Sequence, residues 1–456
     1  MKLHRECDDI LKSVKKIHMI GIGGSGMCPL AEILHSKGYI LSGSDNNESD
    51  PLKRVIALGI PVSIGHKAEN VQGAELVVYS AAISNDNPEL VAAKKASIPT
   101  MERSVLLGII TRQFDNVIGV CGTHGKTTVT SMITQILCIA GMDPTAVIGG
   151  KLPLIGANGR AGDSDIMVCE SCEFVDTFLQ LSPDISVLLN IDNDHLDYFK
   201  TMDNLIASFK KFVGMSKITF FNGDDELSAK AVKDFSGKKI SFGFNEENDF
   251  YPKNIKSTEV GFIFDVFKNS EKIGDIELAI PGRHNIYNAL AAFSVCNYLG
   301  VDLKTIHKAI STFSGAGRRF EKLYDDGKIL LIDDYAHHPT EIAATLTAAK
   351  NLKHNRLTVL FQPFTFSRTE MLLDDFIRAL SIADRVVLTP IMGSRETNKT
   401  GISSQDIAKG LKNAVCVQNF DEAAEFLFNT KSDGDIIISM GGGDIYKAAY
   451  KLKAMF

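Results

Sequence analysis

The segment Gly122-Thr-His-Gly-Lys-Thr-Thr128 limits what this chain can fold into more than any other. The apolar run Asn116–Cys121 before it has the length and composition of a buried strand. After it, Val129, Met132, Ile133, Ile136, Leu137 and Ala140 recur at helical spacing, and Gly141 with Pro144 marks the stop. Strand, glycine turn, Lys-Thr and helix together predict a phosphate cradle. Glycines leave backbone N–H groups facing an anion, and the helix N-terminus adds its positive end. Lys126 can reach a terminal phosphate, and Thr127 can offer a hydroxyl to Mg²⁺. The spacing is GxxGKT rather than the longer GxxxxGKT, which places the loop in a particular branch. A glycine turn whose lysine simply faces water would not need this strand–helix context. The expected ligand is a nucleoside triphosphate.

Composition bounds the rest. At 456 residues the chain has room for about three domains. A net charge of −6 argues against a general nucleic-acid binder, whose phosphate contacts require a basic surface. No run approaches 18 uncharged apolar residues, and Met1–Ile10 lacks the apolar core of a signal peptide, so a cytoplasmic location is expected. The eight cysteines are scattered, mostly inside apolar runs, as buried free thiols are in a reducing compartment. Cys169-Glu-Ser-Cys172 is a CxxC without a second such pair, which disfavours zinc and favours two buried strand-end thiols.

Strands and helices alternate in three blocks. Lys16–Ile22 reads as a strand entering Gly21-Ile-Gly-Gly-Ser-Gly26. A helix with Met27, Leu30, Ala31 and Leu34 on one face follows, and a second strand, Tyr39–Gly43, ends at Ser44-Asp45. This is a dinucleotide-type βαβ unit whose GxGxxG needs only a diphosphate near a helix N-terminus, and UDP-sugars carry one as NAD does. With strands at Leu76–Ser80 and near Pro99, it predicts a small α/β domain over residues 1–113. The second block, 114–317, holds Ile166–Cys169 and Ile185–Asn190 as buried strands, with Glu170 and Glu173 beyond one and Asp192, Asp194, His195 and Asp197 beyond the other. Ligands of open α/β sheets bind at such carboxyl ends. The third, 318–456, has strands at Ile329–Ile332, Leu357–Phe361, Arg385–Leu388 and Asp435–Ser439, with helices Thr340–Ala349 and Met371–Ile382 between them. The expected fold is α/β in three domains: Rossmann-like, central P-loop ATPase-type, and a C-terminal Rossmann-like α/β domain.

Carboxylates beside a phosphate loop suggest a metal held against a triphosphate, with Glu173 the better candidate because Mg²⁺ takes oxygen ligands. Imidazole suits softer metals, so His195 stays open between a ligand and a helix cap paired with neighbouring acids. Asp192, Asp194 and Asp197 read equally well as first-turn acids favoured by a helix dipole.

Taken in order, Gly21–Met27, the Gly122 loop, Asp194-His195, His284-Asn285 with Asn288, Arg318-Arg-Phe-Glu321 and Asp333-Asp-Tyr-Ala-His-His-Pro339 resemble the Mur ligase family over essentially the whole chain. The resemblance implies an ATP-dependent amide ligase of peptidoglycan synthesis. The opening loop implies one that joins L-alanine to the lactyl carboxylate of UDP-N-acetylmuramate. By the same resemblance Gly122, Thr123, His124, Gly125, Lys126, Thr127 and Thr128 form the ATP loop, with Lys126 at the β- and γ-phosphates. Thr127, Glu173 and His195 would hold Mg²⁺, and His284 and Asn288 the adenine. Arg319 would meet ATP phosphates, Asp334 the ribose hydroxyls, and His337 the substrate carboxylate and amine. Gly23, Gly24, Ser25 and Gly26, with Ser80, Ala81 and Arg368, would bind the UDP substrate.

The chain departs from the family pattern at Phe361-Gln-Pro-Phe-Thr-Phe-Ser-Arg368, where Phe364 and Thr365 replace a usual His and Arg. That touches amino-acid recognition, so a related ligase adding glycine, serine or a peptide is the nearest rival. An NAD-dependent dehydrogenase resting on GxGxxG and Asp45 leaves Lys126 and the third block without work. A non-catalytic scaffold of the same fold requires the phosphate and metal residues to be idle.

Overall fold

The computed structural model describes residues 6–394 and 396–456. Its first sheet is wholly parallel and joins β1 (Lys16–Ile20), β2 (Ile40–Asp45), β3 (Val62–Ile64), β4 (Leu76–Tyr79) and β5 (Thr100–Glu102) in the order β3-β2-β1-β4-β5. The order turns outward in both directions from the β1–β4 pair, so a crevice opens at their carboxyl ends. The helix Cys28–Ser36 buries Leu30, Ala31 and Leu34, the face that the spacing predicts, and gives way to Gly38 at φ 80°.

A second sheet follows. Its strands are β6 (Asn116–Cys121), β7 (Thr145–Leu152), β8 (Ala157–Arg160), β9 (Ile166–Glu170), β10 (Ile185–Leu188), β11 (Ile218–Asn222), β12 (Lys238–Phe242), β13 (Phe250–Ser257), β14 (Phe262–Lys268) and β15 (Glu271–Leu278). They run β15-β14-β13-β12-β11-β10-β6-β9-β7-β8, with β6 between β9 and β10 and parallel to both. The helix Lys126–Ile139 leaves β6, buries Val129, Met132, Ile133, Ile136 and Leu137, and stops at Ala140 before Gly141 at φ 71°. A left-handed glycine there is the ordinary helix stop. Strands β7, β8 and β11–β15 go beyond the three that the sequence analysis names here, although in β14 and β15 the buried pairs Phe264/Val266 and Ile276/Leu278 carry a period of two.

The third sheet comprises β16 (Glu321–Asp325), β17 (Ile329–Asp334), β18 (Arg356–Phe361), β19 (Arg385–Leu388), β20 (Ala414–Cys416) and β21 (Asp435–Met440). Its order is β16-β17-β21-β18-β19-β20, parallel except for β16. The helix expected over Met371–Ile382 is two, Phe366–Met371 and Leu373–Leu380, broken where Leu372 adopts φ −112°, ψ 24°.

The described residues form two compact units: one up to Ile255 with Phe264–Ile276 and Tyr287–Phe313, the other Ser314–Phe456 with Lys256–Ile263 and Glu277–Ile286. Within the first unit a single apolar cluster runs from Ile17 and Leu30 through Leu106 and Ile110 to Phe178, Phe209 and Phe212. The helix Arg103–Thr111 therefore lies in one core with both sheets. Its Gly108 is bare because a methyl there would come within 2.2 Å of the Gln180 carbonyl oxygen.

Candidate active site

The loop after β6 is built to approach something closely. Gly122 and Gly125 have φ of 133° and 87°, conformations that side chains resist. A methyl at Gly122 would sit 3.0 Å from the Asn190 carbonyl oxygen, and one at Gly125 would sit 2.6 Å from Asn288 Oδ1. Asn190, just beyond β10, clamps the loop: the His124 N–H donates to its Oδ1 at 2.8 Å, and its Nδ2 donates to the His124 carbonyl at 3.1 Å. The Thr123 hydroxyl accepts from the Asp192 N–H at 2.9 Å, and His124 Nε2 lies 3.0 Å from Asp192 Oδ2. Asp192 is thus a loop clamp rather than a first-turn helix acid.

Lys126 donates to the Gly122 and Thr123 carbonyls at 2.5 and 3.0 Å, and to both oxygens of Glu173 at 2.9 and 3.1 Å. Burial works against its charge, but Glu173, with Cys172 and Glu170 adding to it, more than offsets burial and raises its pKa above the usual lysine value. Thr127 donates to Glu170 Oε1 at 3.1 Å, while Glu170 Oε2 accepts from the Gly149 N–H at 2.7 Å. The hydroxyl therefore meets Glu170, and Glu173 faces the lysine. Thr127, Glu170 and Glu173 form an oxygen donor set of the hard kind that suits Mg²⁺. Three free thiols lie in the adjoining strands and loop: Cys121, Cys169 and Cys172. Burial, reinforced by Glu173, pushes the Cys172 thiol up to about 11, which disfavours its reactive thiolate form.

Beyond Glu173 the backbone is strained. Val175, Asp176, His195 and Lys200 all have φ between 53° and 67°, and a β-branched residue in that region is a true outlier. Asp176 ties the segment down, accepting from the Tyr198 hydroxyl at 2.9 Å and from the Ser208 hydroxyl. His195 caps a single turn, Leu196–Phe199; its ring packs 4.8 Å from Phe174, and Nε2 lies 3.6 Å from Asp194 Oδ2. The side chain of Asp197 lies outside the described residues. His284 and Asn288 stand one turn apart on the helix His284–Tyr298, the imidazole exposed and the amide buried, while Asn285 donates to the Pro281 carbonyl.

At the crevice of the first sheet, the Gly23 N–H donates to Asp45 Oδ2 at 3.0 Å, and the Gly24 N–H to the Gly21 carbonyl. The N–H groups of Ser25 and Gly26 make no hydrogen bond to the described residues. Ser80, at the end of β4, packs beside Gly21, and Ala81 next to it is exposed. In a dinucleotide fold the acid after the second strand would hold a ribose; here Asp45 braces the glycine loop instead.

In the second unit the two arginines of Arg318-Arg319 part company. Arg318 donates to Asp333 and to the Gly441 and Gly443 carbonyls at 2.8–3.0 Å, a structural tie. Arg319 stacks its guanidinium 4.9 Å from the Tyr335 ring. Asp334 accepts from the Ala336 and Phe320 N–H groups, and burial, only partly offset by Arg319, pushes it up to about 6.

Three family models cover the chain in series. The Mur ligase family catalytic domain matches residues 16–115, the Mur ligase middle domain 120–296, and the Mur ligase glutamate ligase domain 318–443. The chain belongs to the Mur ligase family. A UDP-N-acetylmuramate–L-alanine ligase of Caldanaerobacter subterraneus subsp. tengcongensis is 42% identical over 449 residues, 97% of this chain and 98% of that one. One of Caldicellulosiruptor saccharolyticus is 44% identical over 442 residues, 95% and 97% of the two chains. The crystal structure of UDP-N-acetylmuramate-alanine ligase from Thermotoga maritima superposes with a TM-score of 0.84 at 29% identity, covering 96% of this chain and 98% of that one.

This Mur ligase keeps its departure in one place. The Phe364 ring stands 6.0 Å from the His337 ring at 75°, and Thr365, at φ 65°, donates its N–H to the Met392 carbonyl. His337 Nδ1 lies 3.1 Å from the Tyr335 carbonyl oxygen and 3.5 Å from Glu341 Oε2. Arg368 follows on the helix Phe366–Met371, half-buried. Glu170 and Asn190 were visible in the sequence only as strand-end residues. Their place at the loop follows from β9 and β10 flanking β6, an order that the sequence does not announce.

Proposed function

We propose that this Mur ligase joins L-alanine to the lactyl carboxylate of UDP-N-acetylmuramate with cleavage of ATP, in the cytoplasm, on the route to peptidoglycan. The observation that carries this reading is identity of 42–44% over 95–97% of the chain to ligases of that name, with Lys126–Glu173 and Thr127–Glu170 contacts formed at the loop. The division we propose is 1–113 for the UDP substrate, 114–317 for ATP and 318–456 for the amino acid.

A carboxylate is a poor electrophile, so its oxygen first takes the γ-phosphoryl group of ATP, giving an acyl phosphate and ADP. The neutral amine of alanine then attacks the acyl carbon, the amide forms, phosphate leaves and the amine proton is lost. Transfer of this kind depends on positioning and charge neutralisation. Lys126 supplies charge at the loop, where Gly122 and Gly125 let backbone N–H groups approach the phosphates. Thr127, Glu170 and Glu173 would hold Mg²⁺, which supplies further neutralisation of the polyphosphate; His195 is a softer donor that the family motif adds to them. Asn288, against Gly125, and His284 are assigned to the adenine. Arg319, Asp334 and His337 keep the phosphate, ribose and substrate roles that their motifs imply, and Gly23–Gly26, Ser80, Ala81 and Arg368 those for the UDP substrate.

Phosphate release from ATP and UDP-N-acetylmuramate across an amino-acid panel tests this. Alanine should exceed glycine in kcat/KM by about 10-fold, the worth of one buried methyl. Serine should do worse, since its hydroxyl meets Phe364 rather than a polar partner. If glycine or serine leads, the alanine assignment fails and the ligase class stands.

A further inference from the structure

Arg103 opens the helix Arg103–Thr111, immediately beyond β5, at the same sheet edge as the Gly21–Gly26 loop after β1 and Ser80 after β4. A methyl on Gly26 would come 2.8 Å from Arg103 Nη1, 3.2 Å from Cζ and 3.3 Å from Nε. The guanidinium thus lies close against the glycine, in space that a side chain there would take. The position is electrostatically adverse, because a cation at the first residue of a helix faces the positive end of the dipole. Glu102, the neighbouring acid, is turned to the Ser104 N–H and hydroxyl, and Arg103 makes no hydrogen bond or ion pair with the described residues. The two loop N–H groups that lack a partner among the described residues, on Ser25 and Gly26, belong to the same turn that the guanidinium approaches at Gly26. Five-donor planar cations placed this way match phosphate oxygens, which they meet two at a time.

We propose that Arg103 is a binding residue for the diphosphate of the nucleotide-sugar substrate, closing over the glycine loop as its charged wall. Dinucleotide folds neutralise a diphosphate with backbone N–H groups and a helix end alone. This site adds a full charge, which favours a dianionic diphosphate over a neutral head group and makes binding depend on salt. The assignment rests on the ligase reading above, since that reading supplies the UDP moiety.

The test compares the full-length wild type with Arg103→Met and Arg103→Lys, using UDP as the probe in calorimetric titration and UDP-N-acetylmuramate in turnover. In Arg103→Met the Kd for UDP and the KM for UDP-N-acetylmuramate should rise about 10- to 100-fold, the worth of a charge-assisted contact. The KM for ATP should not move, and Arg103→Lys should recover part of the loss. The ligand-free melting temperature of Arg103→Met should be unchanged or higher, because an unpaired cation leaves the wrong end of a helix. A UDP affinity in Arg103→Met within twofold of wild type overturns the assignment. So does a ligand-free melting temperature that falls while UDP and ATP weaken together, the mark of a structural residue. A wild type that neither binds UDP nor turns over UDP-N-acetylmuramate overturns the ligase reading itself, and does so before any variant is compared.

Discussion

Lys126 is held by four acceptors, and its partner Glu173 exposes only 2% of its side chain. Removing the cation alone strands a buried carboxylate, which typically costs about 3–5 kcal/mol. Lys126→Ala should therefore lose both turnover and stability, whereas Lys126→Met combined with Glu173→Gln should recover the stability and remain inactive. Denaturant unfolding beside phosphate release separates the two effects; a Lys126→Ala that unfolds like wild type would show that the pair is not buried as described. Asp334 gives a pH signature. Its folded value of about 6 lies above the ordinary 3.8, so the native state holds the proton more tightly. Stability from this group is present below pH 4 and is lost as pH rises to about 6. The stability difference between wild type and Asp334→Asn should accordingly fall across that window, by on the order of 3 kcal/mol, and stay flat above it. A difference that is level from pH 4 to 7 would place the carboxylate in water. Lys126 and Asp334 were legible because each sits inside a motif. Arg103 was not, since its meaning comes from Gly26, 77 positions earlier, and only the sheet order brings them together.

Among elements, the helix Arg103–Thr111 makes the most consequential contact. Gly108 meets the Gln180 carbonyl, which also accepts from Arg112 Nη1 at 2.9 Å, while the Thr111 hydroxyl accepts from the Ser182 N–H at 3.2 Å. Gln180 ends the 3₁₀ segment Phe174–Gln180, whose N-cap is Glu173. Gly108→Ala must push backbone against backbone, because the Gln180 oxygen is not the end of a flexible side chain. Overpacking of this kind costs about 1–3 kcal/mol, and a 2.2 Å approach to a backbone oxygen belongs at the upper end, so the change should destabilise even after the roughly 1 kcal/mol that alanine gains in helix propensity. A melting temperature equal to wild type would show that the two segments give way freely. Strands and helices with strong periodicity, such as Val129–Leu137, were plain in the sequence. The break at Leu372 and the strands β13–β15 were not, because short polar-edged strands and kinks are set by tertiary partners rather than local pattern.

For the molecule as a whole, two compact units imply two melting events. Calorimetry should give an enthalpy exceeding the van't Hoff value, and UDP should raise only one of the transitions, since the Gly21–Gly26 loop and the Gly122–Thr128 loop share the first unit. A single two-state transition shifted as one by UDP would contradict this. One core behind both loops has a practical corollary for inhibition. The helix with Arg103 at one end and Gly108 near the other spans roughly 13 Å, reaching from the Gly21–Gly26 loop to the segment that carries Glu173. A compound that pried apart the contact at Gly108, where there is no room for even a methyl, would need to imitate neither nucleotide.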